Sequence, residues 1–91
     1  MEFEWDEDKR MINILKHNID FIDVIPIFDD PKRLNIIDNR KEYGEIRIRT
    51  IGQVQQELVI VVIHTDRNGK VRIISARRAN KKEKEQYYGN S

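Results

Sequence analysis

Arginines recur through the second half of the chain at spacings that could bring them together on a β-sheet. Arg47 and Arg49 alternate with isoleucines and would therefore share one face of a strand. Further arginines stand in and after a hairpin turn, namely Arg67, Arg72, Arg77 and Arg78. A guanidinium group can donate two parallel hydrogen bonds to a phosphate, so a cluster of them on one side of the sheet favours binding to a polyanion.

A purely structural interpretation of the same arginines is also open. Each guanidinium could pair with a nearby carboxylate, such as Glu45 or Asp66, on an exposed face of the sheet. For a single arginine this is the simpler interpretation, whereas the cluster as a whole favours phosphate binding.

Basic side chains could also cleave RNA, because RNA contains its own nucleophile. A base removes the proton of a 2′-hydroxyl, the oxygen attacks the adjacent phosphorus, and an acid protonates the departing 5′-oxygen. Cations then stabilise the negative charge of the transition state. The sequence contains the lysine, arginine, histidine and tyrosine residues that such a reaction would use, and its only histidines are His17 and His64. It has no phosphate-binding glycine loop, nucleophile elbow or metal-ligand spacing, so no cofactor and no metal are expected.

Charge is distributed unevenly along the chain, although the net charge is only +1. Residues 1–31 carry nine acidic and three basic side chains, whereas residues 66–91 carry three acidic and eight basic ones. One acidic end and one basic end are consistent with a mixed solvated surface, or with a basic surface that faces a nucleic acid.

Composition predicts one small globular domain over residues 1–91. Hydrophobic residues make up 38% of the 91 residues, which suffices for a single small core. The sequence has no cysteine and no signal peptide, and its longest apolar run, residues 58–63, is too short to cross a bilayer. These features predict a cytoplasmic protein that does not bind membranes.

The first half of the chain predicts a strand and two helices. Residues 3–5 alternate between aromatic and acidic types, as in a strand, and Asp6 is suited to cap a helix over residues 7–17. A second helix begins at Asp20, and Pro26 is expected to kink or end it. The apolar stripe of the first helix consists of Met11, Ile12 and Leu15.

The second half predicts a sheet and a final helix. Asn68-Gly69 is a strong signal for a hairpin turn. The order of elements predicts an α+β domain, with a mostly antiparallel β-sheet, two N-terminal helices and one C-terminal helix. The predicted strands are residues 34–37, 45–51, 58–63 and 71–76, and the predicted last helix is residues 79–88.

Several ordered motifs resemble the BrnT family of toxins over nearly the whole chain. The N-terminal motifs are Phe3-Glu4-Trp5-Asp6, Lys16-His17-Asn18-Ile19-Asp20-Phe21 and Phe28-Asp29-Asp30-Pro31. The C-terminal motifs are Gly44-Glu45-Ile46-Arg47, His64-Thr65-Asp66-Arg67 and Val71-Arg72-Ile73-Ile74-Ser75-Ala76-Arg77-Arg78-Ala79, with Glu83 and Tyr87 beyond them. The sequence departs from the family at Asn18, where glycine is common, and at Pro26, which interrupts a helical stretch.

The resemblance implies a RelE-like ribonuclease fold and the toxin role in a type II toxin–antitoxin system. Such a toxin arrests growth by metal-independent cleavage of RNA, and a BrnA-like antitoxin with a ribbon-helix-helix domain neutralises it. The toxin then reaches operator DNA only through its antitoxin.

The matched positions also supply a candidate set of site residues. Those that the resemblance suggests for holding or stabilising phosphate are Arg47, Arg67, Arg72 and Arg77. Those suggested for proton transfer are Lys16 and His17, with Tyr87 as a further candidate.

Two other functions remain open from the sequence. The chain could be a non-catalytic or degenerate toxin-like module that binds only its antitoxin or RNA, in which case RNA would stay intact. It could also be an RNA-binding domain without a protein partner. That function needs exposed aromatic side chains on which bases stack, and most of the seven aromatic residues are expected inside the core.

Overall fold

The computed structural model of the protein describes residues 1–39, 42–55 and 58–89. The order of its elements is a strand, helices, four strands and a helix, as predicted. The elements are β1 (Phe3–Trp5), α1 (Glu7–His17), α2 (Phe21–Val24), a 3₁₀ helix (Ile25–Asp29), β2 (Leu34–Ile37), β3 (Ile48–Val54), β4 (Leu58–Arg67), β5 (Lys70–Arg78) and α3 (Lys81–Gly89). None of the helices in these ranges is long and apolar enough to span a membrane.

One five-stranded sheet joins the strands in the order β1-β5-β4-β3-β2. The β2–β3, β3–β4 and β4–β5 pairs are antiparallel, and only β1 runs parallel to its neighbour β5. The predicted α+β class with a mostly antiparallel sheet is therefore confirmed. Asn68 and Gly69 both have positive φ in the turn between β4 and β5, as the Asn-Gly signal predicts.

Hydrophobic cores lie on both faces of the sheet. On the first, the α2 face, Phe21 of α2 and Ile27 of the 3₁₀ helix pack with Ile60 and other side chains of the sheet. On the opposite face, the α3 face, Tyr87 of α3 belongs to the core that includes Val61. β4 is buried on both faces from residue 59 to residue 65, which agrees with the prediction of a central strand.

Helix α1 turns its apolar stripe towards solvent. Met11, Ile12 and Leu15 are 51%, 60% and 84% exposed, although an apolar stripe ordinarily faces the core. Asn13 is buried instead, because its side-chain amide donates to the carbonyl of Ala76 at 2.9 Å and accepts from the Ala76 N–H at 3.1 Å. The side-chain amide of Asn13 thus makes the hydrogen bonds that a neighbouring strand would otherwise make to the backbone of β5.

Some predicted boundaries move for identifiable reasons. A strand was predicted over residues 45–51, whereas β3 begins only at Ile48. The hydroxyl of Thr65 donates to the carbonyl of Ile46 at 2.7 Å, so a side-chain bond replaces the regular ladder before β3. Pro26 stands in the first turn of the 3₁₀ helix, and the expected break of the second helix is confirmed.

Candidate active site

Three arginines project from the α3 face of the sheet, where the strand register fixes their positions. Arg77 lies opposite Val61, and Arg72 lies opposite the residue four positions further along β4. Arg49 lies opposite Ile63 in the β3–β4 pair. Directly paired residues share a face, and both Val61 and Ile63 belong to the core on the α3 face. Arginines from two separate strands therefore emerge on the same side.

The predicted single cluster is nevertheless confirmed only in part. Arg78 lies opposite Ile60, which belongs to the core of the α2 face, so it is on the other side of the sheet.

Glu83 of α3 joins two of these arginines. Its carboxylate accepts from Arg77 at 2.7 and 2.9 Å and from Arg49 at 3.0 Å, and its side chain is only 4% exposed. Glu83 and Asn80 also form a capping box, because each side chain accepts the other residue's backbone N–H at 2.9 Å. The hydrogen bonds from Arg77 lower the pKa of Glu83 to about 2, so the carboxylate is ionised at neutral pH.

A second carboxylate holds two other predicted arginines at a different corner of the sheet. Glu45 accepts from Arg47 and from Arg67, each at 3.1 Å. These hydrogen bonds lower the pKa of Glu45. The guanidinium of Arg47 also lies 3.8 Å from the centre of the Tyr43 ring, in a cation–π contact.

The fifth arginine also has a carboxylate partner, since Arg72 donates to Glu4 of β1 at 2.7 Å. Pairing with carboxylates, which the sequence left open as an alternative, is therefore present at Arg47, Arg49, Arg67, Arg72 and Arg77. In the part of the chain that the structure describes, Glu45 and Glu83 each pair with two guanidinium groups.

Lys16 and His17 lie in the last turn of α1, beside β5. They line a groove of about 160 Å³ between the helix and the strand. Burial lowers the pKa of His17, and the charges of Lys16 and Arg77 lower it further. The lowered pKa favours the neutral imidazole at neutral pH. Arg77 acts on His17 only through its charge, since it is not one of the residues that line the groove. The residues that line the groove are Lys9, Ile12, Asn13, Lys16, His17, Ile74 and Ser75.

Tyr87 lies inside the core rather than at this groove. Its hydroxyl donates to Asp30 at 2.6 Å, and the side chain is 4% exposed. Burial and the bond to Asp30 raise the pKa of Tyr87 to about 12. This hydrogen bond connects α3 to the segment that follows the 3₁₀ helix, so it gives Tyr87 a structural role.

His64 is also remote from the groove. It lies opposite Ile73, which belongs to the core of the α2 face, and Phe28 contacts its ring edge-on at 5.0 Å. Its Nε2 lies 2.7 Å from the hydroxyl of Thr50. Burial lowers the pKa of His64 to about 4. Within the described part of the chain, no three histidine, aspartate or glutamate side chains are grouped so that they could hold a metal ion.

Sequence reasoning missed Glu83 as the centre of the arginine cluster. A signal was present, because Asn80 and Glu83 have the spacing of a capping box just before a helix. That signal predicts the helix start, however, and not the contact with Arg49 on a strand 34 residues away.

The chain is similar to known ribonuclease toxins. Residues 5–83 match the model of a family described as the ribonuclease toxin BrnT of type II toxin–antitoxin systems. The crystal structure of the Brucella abortus ribonuclease toxin BrnT aligns with a TM-score of 0.70 and 29% sequence identity, over 89% of this chain and 99% of that chain. No curated protein sequence matches the chain.

Proposed function

Because the chain belongs to the BrnT family of ribonuclease toxins of type II toxin–antitoxin systems, we propose that it arrests growth by cleaving RNA without a metal ion. The active site in this proposal is the groove between α1 and β5. One observation supports it most directly: Lys16 and His17 line this groove together, and the charge of Arg77 also lowers the pKa of His17. A neutral base, a protonated amine and a guanidinium are the groups that metal-independent cleavage requires.

In the proposed reaction, the imidazole of His17 accepts the proton of the 2′-hydroxyl. The 2′-oxygen attacks the adjacent phosphorus, and the bond from phosphorus to the 5′-oxygen breaks. The ammonium of Lys16 donates a proton to the departing 5′-oxygen, and the guanidinium of Arg77 stabilises the charge on the non-bridging oxygens. The products are a 2′,3′-cyclic phosphate and a 5′-hydroxyl.

The other predicted arginines are proposed to hold phosphates that flank the cleaved bond. Arg72 projects from the same face of β5 as Arg77, and Arg47 and Arg67 form the second cluster around Glu45. A bound phosphate would have to compete with their carboxylates, so each contact should be weaker than one to a free guanidinium. Tyr87 does not belong to this set, since its hydroxyl is buried against Asp30.

We infer that a BrnA-like antitoxin with a ribbon-helix-helix domain neutralises this chain. The family description supports a protein partner, because a type II antitoxin is a protein that binds its toxin. In this proposal the toxin acts on RNA in the cytoplasm and reaches operator DNA only through the antitoxin.

The proposal is tested by incubating total RNA with the purified protein, with His17→Asn and with Lys32→Ala, a control at an exposed lysine outside the groove. The protein and the control should leave fragments that end in 2′,3′-cyclic phosphate and 5′-hydroxyl. His17→Asn should cleave at least ~100-fold more slowly, the usual contribution of a general base. Equal cleavage by His17→Asn would reject the assignment of the base.

One observation favours the alternative of a non-catalytic module that binds only its antitoxin or RNA. All five of the arginines considered above are paired with carboxylates in the protein alone. Intact RNA after incubation with every variant, together with retained binding to the antitoxin, would support this alternative.

A further inference from the structure

The exposed stripe of α1 is an unusual feature of an 11-residue helix. Leu15, Met11 and Ile12 are all more than half exposed, while the same helix buries the amide of Asn13. Leu15 follows Met11 by one turn, so the side chains form a continuous apolar ridge. Holding such a ridge in water is unfavourable, and clustered apolar exposure marks an interaction surface.

Basic residues flank this ridge on the side of the proposed active site. Lys9 and Lys16 are two helical turns apart, and Ile12 lies between them on the same side. All three residues line the groove with His17. The apolar ridge is therefore continuous with the cationic groove through Ile12.

We propose that the antitoxin binds α1 through an amphipathic segment, whose apolar side chains cover Met11, Ile12 and Leu15 and whose carboxylates pair with Lys9 and Lys16. A segment in this position also covers His17, so inhibition would result from occlusion of the groove. The inference rests on the proposed function for the identity of the partner and the location of the active site.

The size of the ridge argues against a second copy of this chain as its occupant. Eleven helical residues span roughly 16 Å, and a contact between two such helices covers much less than the ~800 Å² per partner typical of stable complexes. An extended segment of the antitoxin can continue from the ridge into the groove and add the two lysine contacts. Such a partner contacts both the apolar ridge and the basic groove.

The test compares Leu15→Asp with Ile37→Asp, because Leu15 is 84% exposed and Ile37, on the edge strand β2, is 65% exposed. The probe is the purified antitoxin encoded beside the toxin, titrated by calorimetry. Leu15→Asp should raise Kd by roughly 30-fold or more, as expected at the centre of an interface. Ile37→Asp should leave Kd within about threefold of the unmodified protein, the effect of a change outside an interface.

Lys9→Glu tests the charged part of the contact. It should raise Kd by about tenfold at low salt and by less at high salt, because salt screens exposed charge pairs. Unchanged binding by both Leu15→Asp and Lys9→Glu would overturn the proposal. A dimeric unmodified protein that becomes monomeric in Leu15→Asp would also overturn it, by assigning the ridge to a second copy.

RNA cleavage is measured separately on the same proteins without antitoxin. Leu15→Asp should cleave at the unmodified rate and should need a higher concentration of antitoxin for half-maximal inhibition. If neither protein cleaves RNA, the proposed function fails, while the comparison of Kd values still decides whether the antitoxin binds α1.

Discussion

His17 can act as a base at neutral pH only because its surroundings disfavour the protonated imidazolium. Burial contributes most to its lowered pKa, and the positive charges of Lys16 and Arg77 add to the effect. A general base works best when its pKa lies near or below the working pH, since it must be unprotonated to accept a proton.

The rate of RNA cleavage should therefore fall with decreasing pH only below the ordinary histidine pKa of 6.5. Lys16→Gln removes one of the charges that lower the pKa of His17, so the acidic limb of the pH–rate profile should shift to higher pH. The maximal rate should also fall, because the proposed acid is lost. Lys32→Gln provides the control, and an acidic limb at the same pH in Lys16→Gln would contradict the proposed coupling.

At the scale of elements, the position of α1 depends on one buried side chain. β1 pairs with residues 71–73 of β5, and among the described residues no strand lies beside the next part of this β5 edge. Asn13 fills this place with two bonds to Ala76, and it donates a further bond to the carbonyl of Ile19 at 2.9 Å. Lys16 and His17 follow within one turn, so the same anchor sets their distance from β5.

Asn13→Ala should lower the free energy of unfolding by roughly 2–4 kcal/mol, because it leaves buried backbone groups without partners. It should also slow cleavage in the protein that remains folded, since α1 loses its anchor. Chemical denaturation and single-turnover rates measure the two effects. Asn39→Ala, at an exposed position, should change neither quantity, and an unchanged stability in Asn13→Ala would show that the anchor is dispensable.

Local signals in the sequence predicted most of the elements. Asp6 caps α1, Asn68 and Gly69 form the hairpin turn, and Pro26 ends the second helix, because each residue acts on its own backbone neighbours. The side of α1 that faces the core could not be predicted in the same way. Asn13 is buried by bonds to a strand 63 residues away, and these outweigh the apolar pattern of the helix itself.

The candidate site was predictable only in part, for the same reason. Alternation predicted only that Arg47 and Arg49 would share a face. Arg72 and Arg77 are five residues apart, so a regular strand would place them on opposite faces, and only the register shift between β4 and β5 puts them on the same face. Local patterns could not decide which carboxylate each arginine would meet, because Glu4 and Glu83 come from opposite ends of the chain. The approach of His17 to Arg77 likewise depends on how α1 packs against β5.

For the whole molecule, the buried His64 makes stability sensitive to mild acid. The pKa of His64 is about 4 in the folded protein and about 6.5 in the unfolded chain, where the side chain is exposed. Between pH 4 and pH 6.5, the unfolded chain therefore binds a proton that the folded protein does not bind. Stability should therefore fall as the pH decreases from 6.5 towards 4, by up to about 3 kcal/mol from this group.

His64→Gln should remove that part of the pH dependence, whatever its effect on stability at pH 7. The measurement is the difference in unfolding free energy between pH 7 and pH 4.5, taken for both proteins by urea denaturation. Carboxylates and His17 titrate in both proteins, so the comparison isolates His64. An equal loss of stability in the two proteins would show that His64 is not shielded from protonation.

The central claim is that α1 and β5 contribute to one active site. It is tested most directly by single-turnover cleavage of one RNA by the unmodified protein, His17→Asn, Arg77→Gln and the double variant. Each single change should slow cleavage by ~100-fold or more. The double variant should be at most about tenfold slower than the slower of the two single variants, because residues that act as a unit have non-additive effects. Fully multiplicative effects, or single variants as fast as the unmodified protein, would contradict a shared site.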